Sequence, residues 1–294
     1  MIMQGLILLD KPAEMTSFSA VSAIKRILGE KRVGHTGTLD PMATGVLPIL
    51  LGRATRLCDL MLHADKRYTA ELLFGVTTDT LDITGNVLTD AECDVSLPDV
   101  ENACNAFRGS IMQTPPMYSA LKKDGQRLYD LARQGIEVER TPREVYIKQL
   151  NIIGQTDKNR FTIDVLCSKG TYIRSLADDI GRKLGVGAVL TSLRRTQTAG
   201  YTADMCVTLD RLRENPTAYL MPADSVIAYC PRTTVSEGQA RRFLNGGELF
   251  CDRLTVDGAA ADGDMVRVYS PDGTFIGLGL IRGEFMKVKC IITE

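Results

Sequence analysis

The sequence predicts an α+β chain that ends in a small β-barrel, and three observations support this class. Residues 66–74 alternate apolar and polar side chains, as a half-buried strand does. Residues 145–153 and 160–167 predict a pair of strands joined by the polar turn 156–159. From residue 235 onward, short apolar runs alternate with Asp-Gly and Pro-Asp-Gly turns, which is typical of a small barrel.

At 294 residues, the chain exceeds the roughly 250 residues at which a single hydrophobic core stops growing, so we expect two domains. Its 44% hydrophobic and 24% charged residues are typical of a soluble globular protein. No apolar run approaches the ~18 residues of a membrane span, and the N-terminus lacks the charged start and cleavage site of a signal peptide. We therefore expect a cytoplasmic protein with no membrane partner.

The composition limits the kinds of metal site, disulfide and binding partner that we expect. The eight cysteines are scattered and include no Cys-x-x-Cys pair. We therefore expect them to be small buried apolar residues, not zinc ligands or disulfide partners. Two histidines argue against a multi-histidine metal site. A net charge of −1 and a pI of 6.2 count against a nucleic-acid partner. However, basic residues gather at 122–148 and 174–195, and an uneven surface can present a basic face.

The first elements follow from short patterns. Residues 5–9 form an apolar run typical of a buried strand, which Asp10-Lys11-Pro12 ends. Thr16 offers a helix N-cap, apolar residues follow at helical spacing, and Gly29 is the terminator. Further helices are predicted over residues 53–62, over 96–107 and up to residue 184. A strand over 189–196 and short helices within 201–230 complete the part before the barrel.

The stretch from Gly34 to Pro48 predicts a tight, irregular loop. Its glycines adopt backbone dihedrals closed to other residues, and Pro41 pushes Asp40 out of the helical region. Apolar residues from Val46 onward anchor the loop to a core. A carboxylate fixed in this way is a good chemical tool, but the residues alone favour a simple Asx turn.

Two further segments are unusual. Residues 109–143 are atypical, because Pro115 and Pro116 exclude a regular strand there and long irregular segments inside compact domains are usually functional or mobile. Arg174 lies in the first turn of its helix, where the helix dipole disfavours a cation. It either pairs with Asp178 on a wet surface or points into a site.

Several motifs, in the right order, resemble the pseudouridine synthases of the TruB type, which act on uridine 55 in the T-loop of tRNA. Gly34–Pro48 resembles the signature loop of that family, with its Gly-Thr-Leu-Asp-Pro segment. Similar matches are Lys66-Arg67-Tyr68, residues 76–85, Gly170–Leu176 and Val189–Thr196. The resemblance covers about residues 5–200.

The resemblance implies roles for six residues. Asp40 would be the catalytic nucleophile, and Arg174 would point into the site and pair with it. Tyr68 would lie against the target base and serve in the proton step at C5. The remaining substrate-binding residues would be His35, which intrudes into the RNA loop, and Tyr172 and Leu193, which line the pocket.

The resemblance also implies a fold and a domain division. The fold is that of the pseudouridine synthases, a mixed and largely antiparallel sheet flanked by helices. Residues 1–230 would form the catalytic domain, with an RNA-gripping insertion at about 109–143. Residues 231–294 would form a PUA-like RNA-binding domain.

The expected function is the isomerisation of uridine 55 in tRNA, after the base has been flipped out. Such a reaction implies no cofactor and no metal, and the expected partner is the T-arm of tRNA. We expect a monomer without an obligate protein partner. The alternatives are a non-catalytic tRNA-binding or tRNA-folding protein, and a small-molecule enzyme with a carboxylate nucleophile.

Overall fold

The computed structural model describes residues 3–123 and 125–293. In chain order, the strands of the first part are β1 (Gly5–Lys11), β2 (Val33–His35), β3 (Thr44–Leu51), β4 (Lys66–Phe74), β5 (Val76–Thr78), β6 (Val87–Asp90), β7 (Gly109–Gln113), β8 (Lys122–Lys123), β9 (Gln126–Arg127), β10 (Arg143–Asp157), β11 (Arg160–Cys167), β12 (Ala188–Thr198) and β13 (Tyr201–Thr202). Its helices are α1 (Ser17–Leu28), α2 (Cys58–Leu62), α3 (Leu97–Asn105), α4 (Leu128–Arg133), α5 (Ile173–Leu184) and α6 (Leu209–Glu214).

One central sheet organises this part of the molecule. Its strands follow the order β1-β3-β12-β4-β11-β10-β7, with β2 beside β3 and β13 beside β12. The pairing of β3 with β12 is parallel, and the other pairings are antiparallel. One face of the sheet shares a hydrophobic cluster with α1, α3 and α5. The predicted mixed, largely antiparallel sheet flanked by helices is therefore present.

Local sequence signals explain where the helices start and stop. Thr16 caps α1 by accepting a hydrogen bond from the Ser19 N–H, and Gly29 ends this helix in the left-handed conformation. Ser96 and Asp99 form a capping box at the start of α3. The predicted helical stretch 53–62 consists of a 3₁₀ turn followed by the short helix α2.

The segment predicted to be irregular from residue 109 begins with a regular strand. Gly109–Gln113 is the edge strand β7, which pairs in register with Arg143–Ile147 of β10. The irregular part therefore starts at Thr114, five residues later than the sequence predicts. A five-residue edge strand carries too little alternation to be recognised from its pattern. Residues 114–142 then leave the sheet and carry the β8–β9 hairpin and α4. They are called the insertion below.

The C-terminal part adds a second sheet. Its elements are β14 (Arg232–Thr234), α7 (Glu237–Leu244), β15 (Leu249–Phe250), β16 (Val256–Asp257), β17 (Met265–Tyr269), β18 (Phe275–Arg282) and β19 (Phe285–Ile291). The strand order is β15-β19-β18-β17-β14-β16. Leu278 and Ile292 belong to the same hydrophobic cluster as Leu6 and Leu8 of β1, which is separate from the cluster that contains α1, α3 and α5. In the described ranges, no helix combines the length and the apolar character needed to cross a membrane.

The central sheet depends on one glycine. Gly45 lies opposite Arg195, where β3 and β12 run parallel. Its φ is +101°, and a Cβ atom added there would lie 2.2 Å from the Arg195 carbonyl oxygen. Only glycine combines this backbone conformation with so close an approach of a neighbouring strand.

We predict that Gly45→Ala destabilises the protein far more than Gly200→Ala. Gly200 also has a positive φ, +82°, but an added Cβ would meet nothing within 4 Å. Gly200→Ala therefore measures backbone strain alone, about 1–2 kcal/mol. Gly45→Ala adds a clash with backbone and should lower the free energy of unfolding by about 3 kcal/mol or more. Urea denaturation measures both, and equal losses would contradict the close approach of β3 and β12.

Candidate active site

The loop between β2 and β3 holds Asp40 in a fixed position. The Ser17 hydroxyl at the start of α1 accepts a hydrogen bond from the Leu39 N–H at 2.9 Å and donates one to the Leu39 carbonyl at 3.1 Å. The Leu39 side chain is buried in the main cluster. The Asp40 carbonyl accepts from the Ala43 N–H at 3.1 Å, which closes a turn. The Asp40 side chain itself stays 31% exposed, so a substrate can reach it.

Arg174, the second residue of α5, holds the carboxylate of Asp40 with two hydrogen bonds. Its Nε donates to Oδ2 at 2.9 Å, and its Nη2 donates to Oδ1 at 3.0 Å. Arg174 also donates to two backbone carbonyls. Nη1 donates to the Thr80 carbonyl at 2.9 Å, and Nη2 donates to the Tyr118 carbonyl at 2.8 Å. Bidentate pairing fixes a carboxylate in orientation as well as in charge. The predicted pair of Arg174 and Asp40 is therefore present.

The alternative surface pair of Arg174 is absent, because Asp178 pairs instead with Arg182 at 2.9 Å. The Arg174 side chain is 4% exposed. Burying the charge of Arg174 at the start of a helix costs free energy, and hydrogen bonds to acceptors on three different segments offset this cost.

A second carboxylate lies behind the guanidinium of Arg174. Asp82 Oδ2 lies 3.6 Å from Nη1, and the Asp82 side chain is 6% exposed. Its Oδ1 accepts hydrogen bonds from the Thr80 hydroxyl at 2.9 Å and from the Thr84 N–H at 3.0 Å. The loop that carries Asp82 is joined to β12 by the Ile83 N–H, which donates to the Leu190 carbonyl at 2.9 Å. Arg174 thus lies between two carboxylates.

Tyr68 of β4 and Leu193 of β12 form the apolar side of the site. Both side chains are almost completely buried, and both belong to the main hydrophobic cluster with Leu39. Burial raises the pKa of the Tyr68 phenol, the charge of Arg195 lowers it, and the charge of Asp40 raises it. The phenol is therefore neutral at pH 7.

Tyr172, directly before α5, connects the site to the insertion. Its backbone N–H donates to Gln113 Oε1 at 2.8 Å, and Gln113 Nε2 donates to its carbonyl at 3.0 Å. The Ser175 hydroxyl donates to the Thr114 carbonyl at 3.1 Å. Burial raises the pKa of the Tyr172 phenol, and Asp40 is one of the charges acting on it. The base of the insertion is therefore attached to the start of α5.

His35, the last residue of β2, is half-buried, five residues before Asp40. Its Nδ1 is buried and has no hydrogen-bond partner in the ranges that the structure describes. Burial lowers the pKa of His35, and the positive charge of Arg195 lowers it further. His35 is therefore a neutral imidazole at pH 7.

Two buried cations support the Asp40 loop from inside the protein. Lys11 Nζ donates to the carbonyls of Pro12, Met15 and Pro41 at 2.8, 2.6 and 3.2 Å. Arg195 Nε donates to the carbonyl of Val46 at 2.7 Å. Arg195 Nη2 donates to the carbonyl of Gly37 at 3.2 Å. Both side chains are fully buried.

The structure connects five of the six sequence-predicted residues, with Asp40 at the centre. Arg174 contacts Asp40 directly, and the charge of Asp40 acts on Tyr68 and Tyr172. Leu193 joins through the apolar cluster. His35 is the last residue before the loop that carries Asp40.

Sequence reasoning missed three residues that build the site, namely Asp82, Gln113 and Arg195. Asp82 carried a signal, since its segment 76–85 resembled the family. Arg195 also carried one, because it shares a face of β12 with Leu193 at a spacing of two residues. Nothing in the local sequence marks Gln113.

Comparisons with known proteins agree with this fold. The family model described as "TruB family pseudouridylate synthase (N terminal domain)" matches residues 25–173. Two C-terminal models of the same family, "tRNA pseudouridylate synthase B C-terminal domain" and "Pseudouridine synthase II TruB, C-terminal", match residues 174–228 and 231–285.

Curated relatives are similar over nearly the whole chain. The tRNA pseudouridine synthase B of Azoarcus sp. (strain BH72) is 43% identical over 295 residues, which cover 99% of this chain and 95% of that protein. The protein of the same name from Clostridium tetani is 43% identical over 97% of this chain and 98% of its own length. The tRNA pseudouridine synthase B of Neisseria meningitidis serogroup B is 40% identical over 98% of this chain and 93% of its own length.

Solved structures share the fold. A Cbf5–Nop10–Gar1 complex contains a chain with a TM-score of 0.74 and 25% identity, over 98% of this chain and 85% of that one. A chain of an H/ACA RNP bound to a substrate RNA has a TM-score of 0.73 and 23% identity, over 99% of this chain and 85% of that one. The central sheet, its helices and the PUA-like C-terminal sheet are therefore those of a pseudouridine synthase. The chain belongs to the TruB family of pseudouridylate synthases, and the predicted isomerase is confirmed.

We predict that Lys11 makes the stability of the protein depend on pH. Burial lowers the pKa of Lys11 from 10.5 to about 8, although the charge of Asp40 acts in the opposite direction. Between these values the unfolded chain binds a proton that the folded protein does not, so folding becomes more favourable as pH rises. The free energy of unfolding of wild type relative to Lys11→Met should rise by about 1–2 kcal/mol from pH 7.5 to 9.5.

Urea denaturation at several pH values measures this difference. Lys25→Met, at an exposed position of α1, is the control, and its difference from wild type should stay flat. A flat Lys11→Met difference as well would mean that Lys11 is not desolvated in the folded protein.

Proposed function

We propose that the chain isomerises uridine 55 in the T-loop of tRNA to pseudouridine, with Asp40 at the reaction centre. The observation that carries the proposal is the bidentate pair of Asp40 and Arg174 on a loop that leaves the carboxylate accessible. The relatives named tRNA pseudouridine synthase B support the substrate. Residues 1–230 act as the catalytic domain and residues 231–294 as an RNA-binding domain.

The reaction breaks the bond between ribose C1′ and uracil N1, turns the base and joins C1′ to C5. The hydrogen on C5 is released as a proton and N1 takes one up, so atoms and electrons balance without a redox step. The enzyme must therefore supply a group that assists bond breaking, a surface that holds the free base and a path for the C5 proton.

Asp40 supplies the first of these. An aspartate is normally ionised at neutral pH, and Arg174 donates hydrogen bonds to both carboxylate oxygens of Asp40. An anionic carboxylate is suited to attack an electrophilic carbon, to stabilise a cationic sugar or to remove a ribose proton. Arg174 keeps one orientation of the carboxylate, so that the enzyme does not reorganise when the substrate reacts.

Tyr68 and Leu193 supply the surface for the base. The ring of Tyr68 stacks on the uracil, as aromatic side chains do with exposed bases. Its neutral phenol serves in the proton step at C5, directly or through solvent. Leu193 packs beneath the base, and Tyr172 lines the side of the pocket towards the insertion.

The target base has to leave the T-loop, which costs a few kcal/mol in lost stacking. His35 offsets part of this cost by occupying the position of the flipped base. A neutral imidazole is suited to stack within RNA because it brings little desolvation cost.

We predict that Asp40→Asn abolishes the reaction without abolishing RNA binding. Asparagine keeps the shape of the side chain but removes its charge, so turnover should fall by at least about a thousandfold. The Kd for a T-arm hairpin should change by no more than about threefold. Tritium release from a hairpin labelled at uracil C5 measures turnover, and filter binding measures Kd.

Asp10→Asn is the matched control, because Asp10 pairs with Arg194 at 2.9 Å and lies outside the site. It should release tritium at the wild-type rate. Release by Asp40→Asn would remove Asp40 from the reaction centre. Tight hairpin binding without release by wild type would favour the alternative of a tRNA-binding or tRNA-folding protein.

The insertion grips the T-arm in this proposal. Arg127 and Arg133 are both exposed. Their Cζ atoms lie 5.7 and 5.6 Å, respectively, from the ring centre of Tyr129. Cations beside an aromatic ring are typical of surfaces that bind unpaired nucleotides. The insertion leaves the sheet at Gln113 and returns at Arg143, so it can cover RNA bound at the site.

We predict that the double variant Arg127→Ala/Arg133→Ala weakens hairpin binding and makes it less salt-dependent. Each lost phosphate contact should reduce the slope of log K against log salt by about 1. The charge-matched control is Arg211→Ala/Arg213→Ala on α6, a helix that packs near α1. An unchanged slope for the first variant would exclude phosphate contacts by the insertion.

A further inference from the structure

Arg195 is a buried charge that the chemistry above does not use. It is the largest fully buried side chain in the described residues, with 0% exposure. No carboxylate lies within 4 Å of its guanidinium in that part of the chain. Its neighbour Arg194 points to the other face of β12 and pairs with Asp10. A buried cation without an anionic partner is costly, so its contacts require an explanation.

The guanidinium bonds to the backbone on both sides of Asp40, in the loop before it and in β3 after it. Nη2 donates to the Gly37 carbonyl at 3.2 Å, three residues before Asp40, and Nε donates to the Val46 carbonyl at 2.7 Å, six residues after it. The planar guanidinium holds its N–H groups at a fixed spacing, so it also fixes the spacing of these two carbonyls.

The backbone of Arg195 joins β3, the strand that follows this loop, to the strand of Tyr68. On one side Arg195 pairs with Gly45 of β3, and on the other with Tyr68 of β4. Because Gly45 has no side chain, the two backbones touch directly. The charge of Arg195 also acts on the ionisation of both Tyr68 and His35. One residue therefore contacts the Asp40 loop and the strand of Tyr68.

We propose that Arg195 is a positioning residue that holds the Asp40 loop at a fixed place relative to Tyr68, so that both side chains meet the same uracil. The inference rests on the proposed function. Arg174 orients the carboxylate group, whereas Arg195 locates the backbone from which that group projects. A displacement of about 1 Å in such a loop costs up to about a hundredfold in rate.

The test compares Arg195→Lys and Arg195→Met with the control Arg194→Met. Lysine keeps the charge, but its single nitrogen cannot reproduce the separate donors that the planar guanidinium holds at a fixed spacing. The measurements are single-turnover tritium release at saturating T-arm hairpin, the Kd for that hairpin, and urea denaturation to obtain the folded fraction.

We expect the single-turnover rate per folded molecule to fall at least about tenfold in Arg195→Lys and about a hundredfold in Arg195→Met. The Kd should stay within about threefold in both. Arg194→Met should lose some stability but keep its rate within about twofold. Combining Arg195→Lys with Tyr68→Phe should slow the reaction less than the product of the two single effects, since both act on one geometry.

A wild-type rate per folded Arg195→Lys and Arg195→Met molecule would overturn the inference, and so would rate effects of Arg195→Lys and Tyr68→Phe that multiply independently. If Arg195→Met does not fold, Arg195→Lys decides. If neither folds, Arg195 is structural only and the inference is wrong. Failure of the wild type to release tritium would instead refute the proposed function, so the two failures are distinguishable.

Discussion

The site depends on the guanidinium of Arg174. Four oxygen atoms from three segments lie within hydrogen-bond distance of it, namely both carboxylate oxygens of Asp40 and the carbonyls of Thr80 and Tyr118. These segments are far apart in the chain, and each is irregular where it meets the arginine. The common cation brings the Asp40 loop, the Asp82 loop and Tyr118 of the insertion to one point, in addition to the contacts that each makes with the sheet or with α5. Burial of Arg174 makes this dependence strict, because a buried guanidinium without acceptors is strongly unfavourable.

A second layer of contacts keeps the Asp40 loop in place. Ser17, Lys11 and Arg195 satisfy its backbone groups from inside the protein. Since the loop has no regular hydrogen bonding of its own, its buried carbonyls need such donors. The carboxylate can then stay accessible while the backbone beneath it is rigid, a combination that a turn stabilised only by itself would not give.

Much of the fold could be predicted from the sequence because its signals are local. The Thr16 cap, the Gly29 terminator and the alternation of β4 concern residues within one element. The pair of Asp40 and Arg174 joins positions 134 residues apart, and it was predicted only because both motifs resemble one family. Gln113 bonds to the backbone of Tyr172, so no property of its neighbours reveals it. Strand β7 was missed for the same reason, since its identity depends on pairing with β10.

Because of the way the insertion joins the sheet, the insertion can change in sequence and length while the sheet stays the same. Its ends are Gln113 and Arg143, which lie side by side in adjacent strands. The chain between them can therefore lengthen, shorten or diverge while the catalytic sheet stays closed. If the insertion grips RNA as proposed above, preference among RNA molecules can change in this way without alteration of the residues around Asp40. The boundary of this freedom is Tyr118, whose carbonyl is already committed to Arg174.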